Sequence, residues 1–374
     1  MSRVMKSMKE YAAYTLLSIS ILSFRSTLEA QPGIEAAVLP WPSASKAAVS
    51  ITFDDAYISH VSRAMPLLEN HGFRGTFFLM VDKLFRRGKF INVRPSAPIS
   101  EWQAAAARGH EMASHTVSHV PLDALEVHQM RAELINSKAI LDSLFSGAPV
   151  VSLAYPFSQT NAAVAEEARL IYQSGRVGPP TDGSAVYNDP ATADLMSLKA
   201  FFPCSTVAQW HSAVERTIAG NGWLVEALHP IDEPGFCRVA TEDFADHLHY
   251  LSQQRPALWV APVRDVVKRI QQWRTVELQI ESISKKVYQL RIIGIHSYQP
   301  NWQVALYLND PHLWRVEEEN GRIVPSNMEE DALVFSWPQH RANDLLFLRP
   351  KDQTHIAQYS WGTLKHAIRK QLEH

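Results

Sequence analysis

Residues 48–55 read Ala-Val-Ser-Ile-Thr-Phe-Asp-Asp. A run of six residues, all but Ser50 apolar or β-favouring, breaks on two acids, and a helical pattern follows over 59–71, with Val61, Ala64, Leu67 and Leu68 on its apolar side. This strand-then-helix unit recurs along the chain. Strand-like runs stand at 75–80 (Gly-Thr-Phe-Phe-Leu-Met), 111–114, 150–155, 175–177, 223–228 and 257–260. Helical periodicity fills 101–108, 122–145, 162–172, 207–219, 242–253 and 262–273, and a stretch rich in Gly, Pro and Asp follows 175–177. Seven such alternations imply a parallel sheet, because each helix returns the chain to the same end. The class is α/β, and so many units favour closure into a distorted barrel over an open sheet.

The pattern changes after about Glu277. Short β-like runs at 287–293, 302–308, 332–337 and 345–348 are separated by Pro, Asn, Asp and Gly, and a helix is expected only at 362–372. The expected organisation is a catalytic barrel over 31–276 and a small all-β module over 277–374. The chain has 374 residues, 46% hydrophobic and 20% charged, which suits one large domain and a smaller one. Its net charge of −2 offers no basic field for phosphate backbones, which excludes nucleic acid as a partner.

The first thirty residues read as an export signal. Arg3, Lys6 and Lys9 precede an apolar run over 11–24, and a polar segment ends in Ala30 as a cleavage site. The run falls short of the ~20 residues that span a bilayer, so secretion or a periplasmic location without a stable membrane anchor is expected. An ordinary amphipathic first helix is the alternative. Cys204 and Cys237 belong to no Cys-x-x-Cys pair, so a thiolate zinc site is not indicated. In an oxidising compartment they could join, but sequence alone leaves that open.

Three segments carry chemistry. Asp54 and Asp55 end a buried strand, where carboxylates are costly unless paired or bound to a cation. Strand exits of parallel sheets are where catalytic residues collect. Neighbouring side chains on extended backbone diverge, so one acid can hold a metal while the other stays free as a base; a helix N-cap is the plainer reading. Next, Ser114-His115-Thr116-Val117-Ser118-His119 follows a strand and spaces two histidines as on one side of a helical turn. Two imidazoles and a carboxylate leave a position on zinc open for water. Last, 222–230 (Gly-Trp-Leu-Val-Glu-Ala-Leu-His-Pro) delivers His229 to the same end of the sheet, though a buried packing histidine fits this element alone. His60, His71, His110 and His128 lack such context and are expected on the surface or in packing.

Together these segments resemble the polysaccharide deacetylase family, which includes chitin deacetylases, peptidoglycan N-acetylglucosamine deacetylases and acetylxylan esterases. The resemblance covers about residues 47–273 and is most specific in Thr-Phe-Asp-Asp and Ser-His-Thr-Val-Ser-His. It implies a distorted (β/α)7 barrel and a divalent metal, usually zinc. Asp55, His115 and His119 would ligate the metal, with Asp54 as base and His229 as acid. Segment 152–158 would wall the groove through Tyr155 and Phe157, the Phe157 N–H facing the oxyanion. An acetylated carbohydrate is the implied substrate.

Two positions depart from the family. Ala154 stands where many members carry an arginine that orients the base, with Arg176 as the candidate replacement or else a surface residue. Ala56 stands where glycine is usual, and the acid that tunes the catalytic histidine is unassigned among Asp182, Asp189 and Asp194. Trp102, Trp210 and Trp223 are expected in the core, while Trp302, Trp314 and Trp337 would be the contacts if the β module bound glycan. Three functions therefore stand open: an N-deacetylase, an O-acetyl esterase with the same site, and a carbohydrate-binding protein on a retired enzyme fold. Oligomeric state is not legible.

Overall fold

A computed structural model describes residues 34–88, 95–294, 302–329, 332–338 and 345–351. The expected export signal and the expected helix at 362–372 lie outside the described residues. Strands β1 (Ile34–Leu39), β2 (Ala47–Asp54), β3 (Thr76–Leu79), β4 (Glu111–Ser114), β5 (Ser152–Ala154), β6 (Ser174–Arg176), β7 (Trp223–Leu228) and β8 (Leu258–Val260) come first along the chain. All but β1 join one parallel sheet ordered β6-β5-β4-β3-β2-β7, with β8 paired to β2.

β2 is buried along its whole length, and its two-residue period divides two environments. Val49, Ile51 and Phe53 enter the helix-side core with Leu68, Trp102 and Phe244. Ser50 meets the Trp223 indole N–H, and Asp54 meets Arg176, inside the curl of the sheet. Trp102, Trp210 and Trp223 are core residues, as expected.

The sheet curls into a distorted barrel as expected, with staves that differ in part from the strands read in the sequence. β7 runs along one edge of β2, so β3 and β8 share the other: β8 pairs with Ala47 to Val49, and β3 with Thr52 to Asp54. The expected last strand is thus a wedge, not the closing stave. Residues 198–201, read as irregular, bridge the gap between β6 and β7. Val177 N–H donates to Leu198 O at 2.8 Å, Leu198 N–H to Gly175 O at 2.9 Å, and Phe201 N–H to Val225 O at 2.8 Å.

The N-terminal end of the barrel is plugged by helix Val263–Trp273. Its first N–H groups find acceptors on residues that begin barrel strands. Val263 N–H donates to Thr76 Oγ1 and Arg264 N–H to Glu111 Oε2, both at 2.9 Å. Glu111 also accepts from the hydroxyls of Thr76 and Ser152. Burial raises the Glu111 carboxyl above its ordinary range against these bonds. The plug leaves the C-terminal rim as the face for chemistry.

The remaining strands are β9 (Glu277–Ser284), β10 (Val287–Ile293), β11 (Gln303–Leu308), β12 (Trp314–Glu318), β13 (Ile323–Val324), β14 (Ser326–Glu329), β15 (Ala332–Ser336) and β16 (Leu346–Pro350). They form two antiparallel sheets, β1-β11-β15-β14 and β13-β12-β16-β10-β9, around a core that includes Leu290, Trp302, Val304, Phe335 and Leu348. The boundary drawn at residue 31 is corrected here. β1 pairs with β11 from Ile34↔Leu308 to Leu39↔Gln303, so it belongs to the all-β module. Trp302 and Trp337 are buried in the module, and Trp314 is half-buried with its ring 5.9 Å from that of Tyr288. The first two are packing residues, not glycan contacts.

Candidate active site

β2 ends at the C-terminal rim, where Asp54 keeps the inward alternation and is 3% exposed. Asp55 and Ala56 then take left-handed backbone, φ 73° and 49°, which swings the second acid away from the first. The left-handed φ at Ala56 is the reason glycine would sit comfortably there. Arg176 Nη2 donates to Asp54 Oδ2, and both side chains are buried. Burial raises the Asp54 pKa, but the Arg176 charge and hydrogen bond outweigh it, and the carboxyl stays below its usual range. The register explains how Arg176 reaches Asp54: Ala154 and Arg176 are direct cross-strand partners, so the guanidinium enters the layer of position 154 from the next strand.

Asp55, His115 and His119 converge with one ligand atom each, all within 4.8 Å of one another. Asp55 Oδ1 lies 3.6 Å from Nε2 of each histidine. That is long for a hydrogen bond and close to the ~3.4 Å between two ligands at ~2.1 Å in a tetrahedral set. Asp55 Oδ1 is buried with no hydrogen-bond partner among the described residues, which a cation would satisfy. His115 Nδ1 lies 2.8 Å from Ala154 O; donating there, it leaves the Nε2 lone pair outward. Burial pushes its pKa down to about 4, so the imidazole is neutral, as ligation requires. The donor set fits zinc.

The histidine loop is not the helical turn that the spacing suggested. Thr116 and His119 are left-handed, φ 66° and 53°, and no helix covers 115–119. Glu133 of helix Val127–Leu144 clamps the loop instead, accepting from Val117 N–H at 2.9 Å, Ser118 N–H at 3.0 Å and the Ser118 hydroxyl at 2.6 Å. His119 N–H donates to Thr116 Oγ1 at 3.2 Å. The imidazoles end 4.7 Å apart between centroids.

His229 follows β7, with Nε2 3.8 Å from Asp54 Oδ2. His60, expected on the surface or in packing, is fully buried and its Nε2 donates to the His229 carbonyl at 2.8 Å. None of the three acids considered as partners reaches His229. Asp182 accepts from Ser184 N–H, Asp189 from Ala191 N–H and Thr192, and Asp194 from Arg169 and Met196 N–H. Phe157 is second in the turn Pro156–Ser158, where Ser158 N–H donates to Tyr155 O at 3.0 Å, and its ring stands 4.6 Å from that of His119. Tyr155 is the exception among the expected groove residues. Ala154 faces the barrel interior, so Tyr155 points to the helix side, where its hydroxyl donates to Met196 O at 3.0 Å. Its N–H is spent on Arg176 O, so neither donor serves a substrate. Glu133, Phe202 and Phe236 escaped the sequence reading, because nothing local marks them and their partners lie on other elements.

Fold and rim together define a distorted β/α barrel with an Asp-His-His ligand set beside an arginine-held carboxylate. The sequence profile of the polysaccharide deacetylase family matches residues 42–172, about a third of the chain. Over 137 residues it is 28% identical to the putative polysaccharide deacetylase YxkH of Bacillus subtilis (strain 168), covering 36% of this chain and 46% of that one. It is 24% identical over 267 residues to a gellan lyase of a Bacillus species, covering 66% of this chain and 10% of that one. The match thus spans less than half the length of either relative. A crystal structure of a putative polysaccharide deacetylase from Mycobacterium smegmatis superposes with a TM-score of 0.48 at 17% identity, over 63% of this chain and 93% of that one.

Proposed function

We propose that this protein is a metal-dependent hydrolase that removes N-acetyl groups from a poly- or oligosaccharide. One observation carries the reading: Asp55, His115 and His119 share one ligand cluster next to a second carboxylate, Asp54, that arginine holds ionised. A divalent cation held by those three residues, zinc by the donor set, would supply Lewis acidity toward water and the acetyl carbonyl. Asp54 Oδ2 is engaged by Arg176, whereas Oδ1 is buried without a hydrogen-bond partner among the described residues. Oδ1 is therefore the atom that takes the proton from water as it attacks the carbonyl carbon. The Phe157 N–H is the protein donor for the oxygen on which negative charge grows. His229 gives the departing nitrogen its proton, without which an amine anion would have to leave.

An O-acetyl ester is the second reading. It is favoured by the absence, among the described residues, of a hydrogen-bonded acid on His229 Nδ1, since an alkoxide depends less on a strong general acid than an amine does. Export of the protein belongs to the same proposal, supported by the Cys204–Cys237 disulfide, a bond that persists in oxidising compartments.

Acetate release from chitooligosaccharides and from acetylated xylan, with and without chelator, tests the reading. Asp54→Asn is expected to abolish turnover with metal content near normal, and His115→Ala to lose the metal. Full turnover in Asp54→Asn would remove the base from the mechanism. Purified protein without a stoichiometric divalent metal would favour a carbohydrate-binding role instead.

A further inference from the structure

We infer that Phe202 and Phe236 are positioning residues for His229, secured by the Cys204–Cys237 disulfide; the inference rests on the acid role given to His229 above. The backbone of His229 is fixed through the His60 bond to its carbonyl, but its ring is not fixed that way. Nδ1 is buried with no hydrogen-bond partner among the described residues, and Nε2 lies 3.8 Å from Asp54, beyond hydrogen-bond range. An imidazole tied by neither nitrogen can turn about its broad second torsion unless packing forbids it.

Packing supplies the restraint. The Phe202 ring meets His229 at 5.9 Å between centroids and 84°, and the Phe236 ring meets it at 5.0 Å and 84°. The two phenyl rings meet each other at 6.0 Å and 80°. Three rings edge to face hold one another in orientation.

The two phenyl rings sit on different loops with unequal support. Phe202 follows the closing stave, where Phe201 is bonded through its backbone to β7. Phe236 is 59% exposed, on a loop whose Asp232 and Cys237 are left-handed, φ 56° and 51°. The core does not hold it. Cys204 lies two residues past Phe202, Cys237 directly follows Phe236, and their bond brings the Cα atoms to 4.8 Å. The covalent link therefore joins the supported side of the aromatic box to the unsupported one.

The test compares wild type, Phe236→Ala, Phe236→Tyr and the double Cys204→Ser/Cys237→Ser variant. Substrates are chitotetraose, an amide, and 4-nitrophenyl acetate, whose leaving group needs little protonation. Phe236→Ala and the double variant are expected to lose about 10- to 100-fold in kcat on the amide while KM stays within about twofold. Aryl acetate turnover and zinc content should stay near wild type, and Phe236→Tyr should restore the amide rate. A raised KM with kcat intact would make Phe236 a sugar contact and overturn the inference. Parallel loss on both substrates with loss of zinc would reduce it to a loop brace. Proton–carbon NMR of the His229 ring separates this from the functional reading. Averaged ring signals in Phe236→Ala but not wild type support positioning even where no acetate is released, and unchanged signals refute it.

Discussion

Arg176 and Asp54 form a contact that the barrel interior cannot lose cheaply. Both groups are almost fully excluded from solvent, and the ion pair offsets a desolvation cost that neither could bear alone. Arg176→Met should destabilise the protein by about 3 kcal/mol in urea unfolding, because a buried carboxylate is left uncompensated. Under the proposed mechanism it should also lower kcat by about 10²-fold or more, as Asp54 loses its orientation and its charge. Adding Asp54→Asn removes the uncompensated charge, so the double variant should regain most of the stability and none of the turnover. A double variant no more stable than Arg176→Met alone would mean that the guanidinium acts mainly by packing over Phe78, whose ring centroid is 5.3 Å away.

The metal loop shows how an element can be foreseen for the wrong local reason. His115 and His119 do meet, but through left-handed residues and a clamp rather than a helical turn. Glu133 supplies that clamp from 14 residues beyond His119, at a helical position that reads as an ordinary exposed acid. Glu133→Ala should therefore weaken zinc binding by about 10- to 100-fold in competition with a chelating dye, without touching a ligand. Glu133→Gln, which keeps an acceptor for the two N–H groups, should fall between, and unchanged affinity in Glu133→Ala would show that the loop holds itself. Legibility followed the same division elsewhere. β2 and β7 were plain in the sequence because both faces are buried and most of their residues are apolar or β-branched. The stave at 198–201 was not, since it is held by backbone bonds to β6 and β7 and shows no period of its own. The orientation of Tyr155 was also missed: resemblance named the segment, but only the alternation of β5 decides which side each residue faces.

At the scale of the molecule, barrel and β module are joined by more than the connection after helix Val263–Trp273. β1 precedes the barrel in sequence yet pairs with β11, so the chain leaves the module, builds the barrel and returns. The last barrel helix reinforces the seam. Trp273 Nε1 donates to Val38 O at 2.7 Å, Arg269 Nε donates to Pro40 O at 2.6 Å, and the Arg269 guanidinium lies 3.7 Å from the Trp302 ring centroid. Burial draws the Arg269 pKa down to about 10, a sign of how dry the seam is. Truncation after residue 276 would strip β1 of its partner strand and leave an unpaired apolar edge, the feature that drives strands of separate chains together. The truncated chain is therefore expected to aggregate on expression, whereas truncation combined with removal of residues 34–39 should recover soluble protein of lowered Tm. The full chain should unfold in one calorimetric transition, because neither part completes its surface alone. Two separate transitions in the intact protein, or a soluble and fully active truncation that retains β1, would show that the seam is a passive contact and that the barrel stands by itself.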